Sequence, residues 1–463
     1  MFENRSPWLW QLHRQRPVAL LLDDTTTDVA IVGGGIAGVV TAYFTLRYTQ
    51  KQVLLIEGHQ VAHGATGHNA GQLASYFERP FSDIVSEFGL ALAAAGQVAV
   101  ESAWGLLDDI YEEARLQTPF SQFTGYAGCK TFAAVLFHLK DIADQTKAGI
   151  AKESMLLAAE TPFLPEIPKE YQDYYTLIPQ KNILSLLETT NTAYVAALLK
   201  RKGCLNSALF TEELVGYILA TFSTRFRLVE HTSVKKIILQ QHRAHLEMED
   251  KKEVIADHVV LCTNGFERIT LIDATSDTDI DTKFHHLVRG SVGYMAGYLD
   301  ERDRPPVAIS YLPEYRDQSV DAQTTDPYFY LTRRPFENEK KEQHNLVCVG
   351  GPESLMDDTN AYSKEHPYPE EAAKAIDTFV HTTYAPAPPG DIPYRFQWHG
   401  LMGYTPNGIR CIGFEPSNPV LLYNLGCNGV GILPSIFGGK KAALLLHGEK
   451  FSPSIFDPQV EHR

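Results

Sequence analysis

The chain has 463 residues, 44% hydrophobic and 21% charged, with 41 Lys and Arg against 56 Asp and Glu for a formal net charge of -15. That length allows two domains with a core each, and the mixed composition excludes a disordered or low-complexity chain. The negative balance repels phosphate backbones and anionic lipid, so neither nucleic acid nor a membrane surface is an expected partner. No apolar run free of Gly, Pro or Lys reaches the roughly 20 residues a bilayer requires, and the first residues lack the order of a signal peptide. A cytoplasmic protein is the expectation. Cys129, Cys204, Cys262, Cys348, Cys411 and Cys427 are scattered without a CxxC pair and read as reduced, mostly buried thiols. His285 and His286 are adjacent and lack ligand spacing, so no metal is expected.

In chain order, the first informative element is Asp28 to Val32 (DVAIV), an apolar β-branched run that suits a strand buried on both faces of a parallel sheet. Gly33, Gly35 and Gly38 follow as GxGxxG, and apolar residues at Ile36, Val39, Val40, Tyr43 and Leu46 then take helical spacing. Gly33 permits the tight turn, Gly35 lets backbone N–H groups approach a pyrophosphate, and Gly38 lets the helix lie close to the strand. The helix N-terminus adds the positive end of a dipole. A second strand, Val53 to Ile56, ends in Glu57, nineteen residues after Gly38, where a carboxylate can accept hydrogen bonds from both ribose hydroxyls and would repel a 2′-phosphate. These elements predict an ADP site of a dinucleotide, NAD or FAD.

Next comes a polar glycine-rich loop, His63 to Gln72, with the composition of a surface turn. Ser207 to Phe222 reads as a helix and Phe226 to Leu239 as a strand region. Val288 to Tyr294, Tyr328 to Thr332 and Leu346 to Val349 are alternating or β-branched strand runs. Tyr328 and Tyr330 lie two apart, so both face one side of their sheet. Near the end, the strand Val420 to Leu425 enters Gly426-Cys-Asn-Gly-Val-Gly-Ile-Leu-Pro434 and then an apolar helix through about His447, with Pro434 in the first turn. That glycine-rich entrance presents free N–H groups to an anion, and a reduced flavin is one. Two dipolar helix starts thus await one extended cofactor.

DVAIVGGGIAG with Glu57, the GATGHNAGQL loop, Val259 to Gly265 (VVLCTNG), Trp398-His-Gly through Ile412-Gly413, and GCNGVGILPSIFGGK occur in that order. In these motifs the chain resembles the D-amino-acid oxidase or glycine oxidase superfamily of FAD-dependent amine oxidoreductases. The SPWL opening and ATGxNxGQ loop are most similar to the branch containing γ-glutamylputrescine oxidase. The resemblance implies an α/β (mixed α+β) fold: a Rossmann-like FAD-binding domain assembled from residues 1–125, 196–275 and 386–463, and a substrate domain on a mixed β-sheet from 126–195 and 276–385. It implies FAD contacts from Gly33, Gly35, Ile36, Ala37, Gly38 and Glu57, and from the loop Thr66, Gly67, His68, Asn69, Ala70, Gly71, Gln72 and Leu73. Further contacts are implied from Val234 at the adenine, from Thr263, Asn264 and Gly265, from Gly400 and Gly403, and from Asn428, Gly429, Gly431 and Ile432.

Taking hydride from a carbon next to nitrogen requires that carbon to sit over flavin N5 with the amine unprotonated; position matters more than a proton-transfer dyad. In relatives with a covalently attached flavin, a histidine stands where His68 does, so His68 is either the attachment point or a non-covalent neighbour of the ring. The cysteine that serves other relatives is replaced by Gly400. Glycine oxidases carry a carboxylate-clamping arginine at the position of Met402, so a bidentate anchor is missing there, and Arg289, Arg333 or Arg334 would have to replace it. Tyr328 and Tyr330 are candidates to orient the amine, His399 to touch ring or substrate, and Lys283 to activate oxygen. The expected function is FAD-dependent oxidation of a small primary or secondary amine, such as a polyamine derivative or N-methylated compound, with oxygen or another electron acceptor. Alternatives are a D-amino-acid or glycine type of oxidase with a relocated clamp, and a flavoprotein whose FAD is structural. The oligomeric state is not legible.

Overall fold

The structure, a computed structural model, describes residues 4–150, 154–265, 268–313, 328–356 and 361–458. The expected strand is Thr25–Val32, whose last four residues are buried. It pairs in parallel with Val53–Ile56 on one side (Ile31 opposite Leu55) and with Glu253–Leu261 on the other (Ile31 opposite Val260). Phe226–Val229 extends this parallel set beyond Val53–Ile56, and Asn418–Leu425 extends it beyond the C-terminal half of Glu253–Leu261. The five strands therefore end along one edge, where open α/β sheets bind their ligands. Val234–Leu239 and Ala244–Met248 form an antiparallel meander onto the N-terminal half of Glu253–Leu261.

The helix Ile36–Tyr48 is buried on every side from Ile36 to Leu46, as expected of a helix with apolar residues all round. It packs on the C-terminal helix Ile432–His447 so closely that a Cβ on Gly439 would lie 2.9 Å from the Thr41 amide. Ser207–Thr221 is the expected helix, with the Asn206 carboxamide accepting from Ala208 and Leu209 N–H.

Among the described residues the second sheet has ten strands, in the order Phe396–Tyr404, Arg289–Asp300, Gln343–Met356, Phe329–Glu337, Val307–Tyr311, Phe120–Cys129, Ala196–Leu205, Ser154–Ala158 and Tyr175–Ile178, with Gln72–Leu73 on Ala196–Leu205. Leu331, Val347 and Val349 on one face share a core with Ile376 and Val380 of the helix Glu370–Thr383. Phe336, Leu346, Cys348 and Trp398 on the other face merge into the core of the first sheet. The mixed α/β architecture with two sheets is as expected. The sheets do not follow the expected domain limits: Phe120–Cys129, Ala196–Leu205 and Phe396–Tyr404 all lie in the second sheet. Such membership depends on pairing across long sequence separations, here ten residue pairs between Phe120–Cys129 and Ala196–Leu205.

One stretch departs from the expectation about apolar runs. Leu90–Glu101 and Ala103–Ala114 form a helical run of 25 residues that contains an 18-residue window of mean hydropathy 1.4, enough by length and composition alone to cross a membrane. Gly96 and Gly105 disguise it in the sequence. Ala103, Trp104, Leu107 and Ile110 are in the core, whereas Leu90, Leu92 and Val98 are exposed.

Candidate active site

At the shared edge of the parallel strands, the Gly33–Gly38 turn is pressed against its neighbours. A Cβ on Gly33, which has φ +108°, would meet the Cys262 carbonyl at 2.7 Å, and one on Gly38 would meet the Gly33 carbonyl at 1.8 Å. Only glycine fits either position. The helix after them starts at Gly35, which offers no side-chain cap, and Thr66 Oγ1 accepts from the Ile36 N–H at 2.9 Å. Thr66 therefore stands at the positive end of this helix, with Ile36 and Ala37 in its first turn. The Glu57 carboxylate accepts from Gly34 N–H at 2.6 Å and from His59 N–H at 2.8 Å, which places it beside the turn at the end of its strand. Ser233, the residue before Val234, touches Gly58. Bare backbone at a helix start, a hydroxyl beside it and a carboxylate one strand away could together hold the ADP part of a dinucleotide.

Thr263, Asn264 and Gly265 leave the neighbouring strand. Asn264 Oδ1 accepts from Cys427 N–H at 3.0 Å, joining this segment to the C-terminal glycine-rich loop, and its carbonyl lies 2.7 Å from where a Cβ on Gly403 would stand. In that loop Asn428 is turned inward: its Oδ1 accepts from Thr405 N–H at 2.8 Å and its N–H donates to the Gly403 carbonyl at 2.8 Å. Asn428 thus shapes the loop with its side chain. Gly431 caps the helix Ile432–His447 with no side chain of its own.

The loop Thr66 to Leu73 crosses between the two sheets. His68 is buried; its Nδ1 lies 2.9 Å from the Gly64 carbonyl and so carries the proton, and burial pushes its pKa down to about 4. A Cβ on Gly400 would sit 2.7 Å from the His68 carbonyl, so that glycine makes room for the loop. Asn69 is a structural hub: its Nδ2 donates to Ser207 Oγ, its Oδ1 accepts from Gly71 N–H, and its carbonyl accepts from two indoles, Trp8 at 2.5 Å and Trp398 at 3.3 Å. Ala70 packs on the core and Leu73 is fully buried. Gln72 Oε1 accepts from Lys202 Nζ at 3.3 Å.

Tyr328 and Tyr330 share a side of the second sheet, as expected, with ring centroids 5.6 Å apart. The surroundings were not expected. Glu78 from the first segment lies near both tyrosines, Tyr76 near Tyr328, and Glu353 at the end of Gln343–Met356 and Tyr404 near Tyr330. Tyr404 OH donates to Glu78 at 3.4 Å, Ser291 Oγ donates to Glu353 at 3.2 Å, and Lys202 Nζ reaches Tyr76 OH. Glu78 and Glu353 are both exposed to solvent, although many protein atoms surround their carboxylates. Burial first, and the Glu353 charge second, raise the Glu78 pKa to about 7; burial likewise raises that of Glu353. Glu78 lies against Gly429, where an added Cβ would meet its carboxyl carbon at 2.1 Å, so the acidic group borders the glycine-rich loop. Outward from Glu78 runs an open cleft of about 730 Å³ lined also by Asp83 and Glu87, whose one arginine, Arg79, is bound to Glu87.

Three expected roles find other surroundings. Lys283 Nζ is paired with the buried Glu415 at 2.9 Å, apart from the tyrosines. His399 is on the side of its strand opposite Trp398; its ring nitrogens face Tyr362 OH at 3.1 Å and the His366 carbonyl at 3.0 Å. The three arginines suggested as a carboxylate clamp stand in three different surroundings. Arg333 is fully buried in a bidentate pair with Glu188, Arg334 is buried with its guanidinium 4.6 Å over the Trp8 ring, and Arg289 is exposed. Glu78, Glu353 and Tyr404 escaped the sequence reading because no local motif marks them.

Compared with known proteins, residues 28–445 match the family described as FAD dependent oxidoreductase (DAO). A Bacillus subtilis (strain 168) protein whose name gives it as a Rieske 2Fe-2S iron-sulfur protein, YhfW, is 36% identical over 93 residues, 19% of this chain and 18% of that one. Gamma-glutamylputrescine oxidoreductase of Escherichia coli (strain K12) is 31% identical over 81 residues, 18% of this chain and 19% of that one. The chain thus matches less than a fifth of the length of either relative. Glycine oxidase from Geobacillus kaustophilus shares the fold with a TM-score of 0.63 at 15% identity, over 95% of this chain and 99% of that one.

Proposed function

The chain belongs to the family of FAD dependent oxidoreductases, and on that premise we propose that it oxidises the carbon–nitrogen bond of a small, positively charged primary or secondary amine. The observation that supports this reading is the cavity where Glu78 and Glu353 meet Tyr328, Tyr330 and Tyr404, while Lys202, the cation that acts on Glu78, is engaged by Tyr76 and Gln72. An α-amino acid would bring its carboxylate against two carboxylates. An ammonium would be attracted by both and shielded by the tyrosine faces, which favour cations.

The residues around the glycine turns fit FAD. Gly33, Gly35 and Gly38 with Thr66 would hold its pyrophosphate, Glu57 its ribose, and the segments at Asn264, Gly400 to Gly403 and Gly429 to Ile432 its ring. When bound, FAD supplies the acceptor for the hydride leaving the carbon next to nitrogen. The protein's part is placement. The carboxylates hold a positively charged end of the substrate, and the tyrosines exclude water and fix its angle. The reacting nitrogen must be unprotonated, so its proton leaves before the hydride, and the resulting imine is hydrolysed by water. His68 serves here as a non-covalent neighbour: its Nδ1 is committed to Gly64 and its ring also faces the Asn4 backbone. The electron acceptor is oxygen or another oxidant.

The test is anaerobic mixing of the FAD-loaded protein with monoamines, diamines, N-methyl amines and D- and L-amino acids while flavin absorbance is followed. Bleaching by amines and not by amino acids supports the reading. Bleaching by amino acids alone, or by none of the panel, overturns it.

A further inference from the structure

The segment before the first strand does more than begin the chain. Its short helix Pro7–Trp10 is capped by Ser6, whose hydroxyl also donates to the Gly67 carbonyl. Trp8, fully buried, donates from its indole to the Asn69 carbonyl at 2.5 Å. Asn4 Oδ1 accepts from His399 N–H at 2.9 Å, and the Asn4 backbone faces the His68 ring. The packing is equally close. A Cβ on Gly67 would stand 2.7 Å from Leu9, and one on Gly71, which has φ +65°, 2.8 Å from the Trp8 ring. Both glycines were expected as FAD contacts; a side chain on either would meet the N-terminal segment, and on Gly67 also the Ala62 carbonyl at 2.5 Å.

The other side of Trp8 is covered by Arg334, buried with no carboxylate partner among the described residues and with Nη1 lacking any hydrogen bond there. Further along, Arg14 and Arg16 grip the buried Glu230, Arg16 Nη1 at 2.8 Å, while Val61 N–H donates to the same carboxylate at 2.9 Å. The segment is therefore tied to the flavin loop at its carbonyls and to the stretch just before the loop through Glu230.

We propose that residues 4–16 are a strap that holds the loop Thr66 to Leu73 in its cofactor-binding shape, with Ser6 and Trp8 as positioning residues for FAD. The inference rests on the FAD assignment above. The loop has little regular structure of its own, a 3₁₀ turn at Ala65–Gly67 and the two-residue strand Gln72–Leu73. Two of its carbonyls, at Gly67 and Asn69, are fixed by side chains of the strap. Without these bonds the loop samples other shapes, and FAD must order it on binding, which weakens affinity.

The experiment compares full-length wild type with S6A, W8F and W10F. W8F keeps a ring and removes the indole donor. Trp10 packs on Phe336 and Phe396 rather than on the loop, so W10F reports general damage. FAD affinity is measured by flavin fluorescence on the apoprotein, and hydrogen exchange is followed in a peptide spanning 64–73. The strap predicts that S6A and W8F each raise the FAD Kd about tenfold, the loss of one charge-free hydrogen bond at the upper end. It also predicts faster exchange of the loop in the apoproteins, with W10F within about twofold of wild type in affinity. Wild-type affinity and exchange in both S6A and W8F would overturn the strap while leaving the FAD assignment standing. Failure of wild type to bind FAD would sink both.

Discussion

Replacing Glu78 by Gln removes a negative charge from the cavity and keeps the shape of the side chain. A unit charge pair at about 4 Å is worth about 1 kcal/mol in water and about 4 kcal/mol at the effective dielectric near a protein surface. Glu78 has an open cleft on one side and Tyr404 and Gly429 on the other, so about 2 kcal/mol is the appropriate middle value. That corresponds to a roughly 30-fold lower kcat/KM for a diamine. The effect depends on pH. With a Glu78 pKa of about 7, the carboxyl is mostly neutral below that value and attracts no cation, whereas above it the charge is present. Diamine affinity in wild type should rise as pH rises through about 7, and in E78Q that step should disappear. Steady-state kinetics from pH 5.5 to 8.5 with a diamine and a neutral-tailed monoamine of equal length would measure it. Subtracting the E78Q profile removes titration of the substrate itself. Equal losses for both substrates, or an unchanged diamine profile in E78Q, would refute the reasoning.

Three other outcomes are expected. E57A should raise the FAD Kd about tenfold or more in apoprotein titrations, because the ribose partner and the acceptor of the Gly34 and His59 N–H groups are lost together. G38A sets a Cβ 1.8 Å from the Gly33 carbonyl, a backbone clash that no rotamer relieves. It should cost more than about 4 kcal/mol, seen as insoluble or FAD-free protein on purification. Acid precipitation of the wild type should release all its flavin into the supernatant, as a non-covalent contact from His68 requires; flavin kept in the pellet and lost in H68A would mean a covalent bond.

The strand, turn and helix from Asp28 to Tyr48 were legible because they are consecutive, and Gly33 and Gly38 each have a nearby steric reason. The common side of Tyr328 and Tyr330 was legible from the two-residue period of a strand. What faces them was not, since Glu78 and Glu353 arrive from distant segments whose meeting depends on how the second sheet closes. Lys283 and His399 show how surroundings escape the sequence. Their residue types suit flavin chemistry, but Glu415 and Tyr362, chosen by the fold, already engage them. Gly67 and Gly71 were expected only as FAD contacts; their close neighbours are Ala62 and Leu9 for the one and Trp8 and Leu205 for the other, and the last three come from segments the sequence does not connect to the loop.

The central claim is that the cavity selects a positive charge where an amino-acid oxidase would select a negative one. It is tested most directly by stopped-flow flavin reduction with two substrates of the same chain length, a diamine and the ω-amino acid in which a carboxylate replaces the second ammonium. The account predicts that the diamine bleaches the flavin at least about 100-fold faster at equal subsaturating concentration, since attraction is exchanged for repulsion by Glu78 and Glu353. Faster bleaching by the ω-amino acid would contradict it.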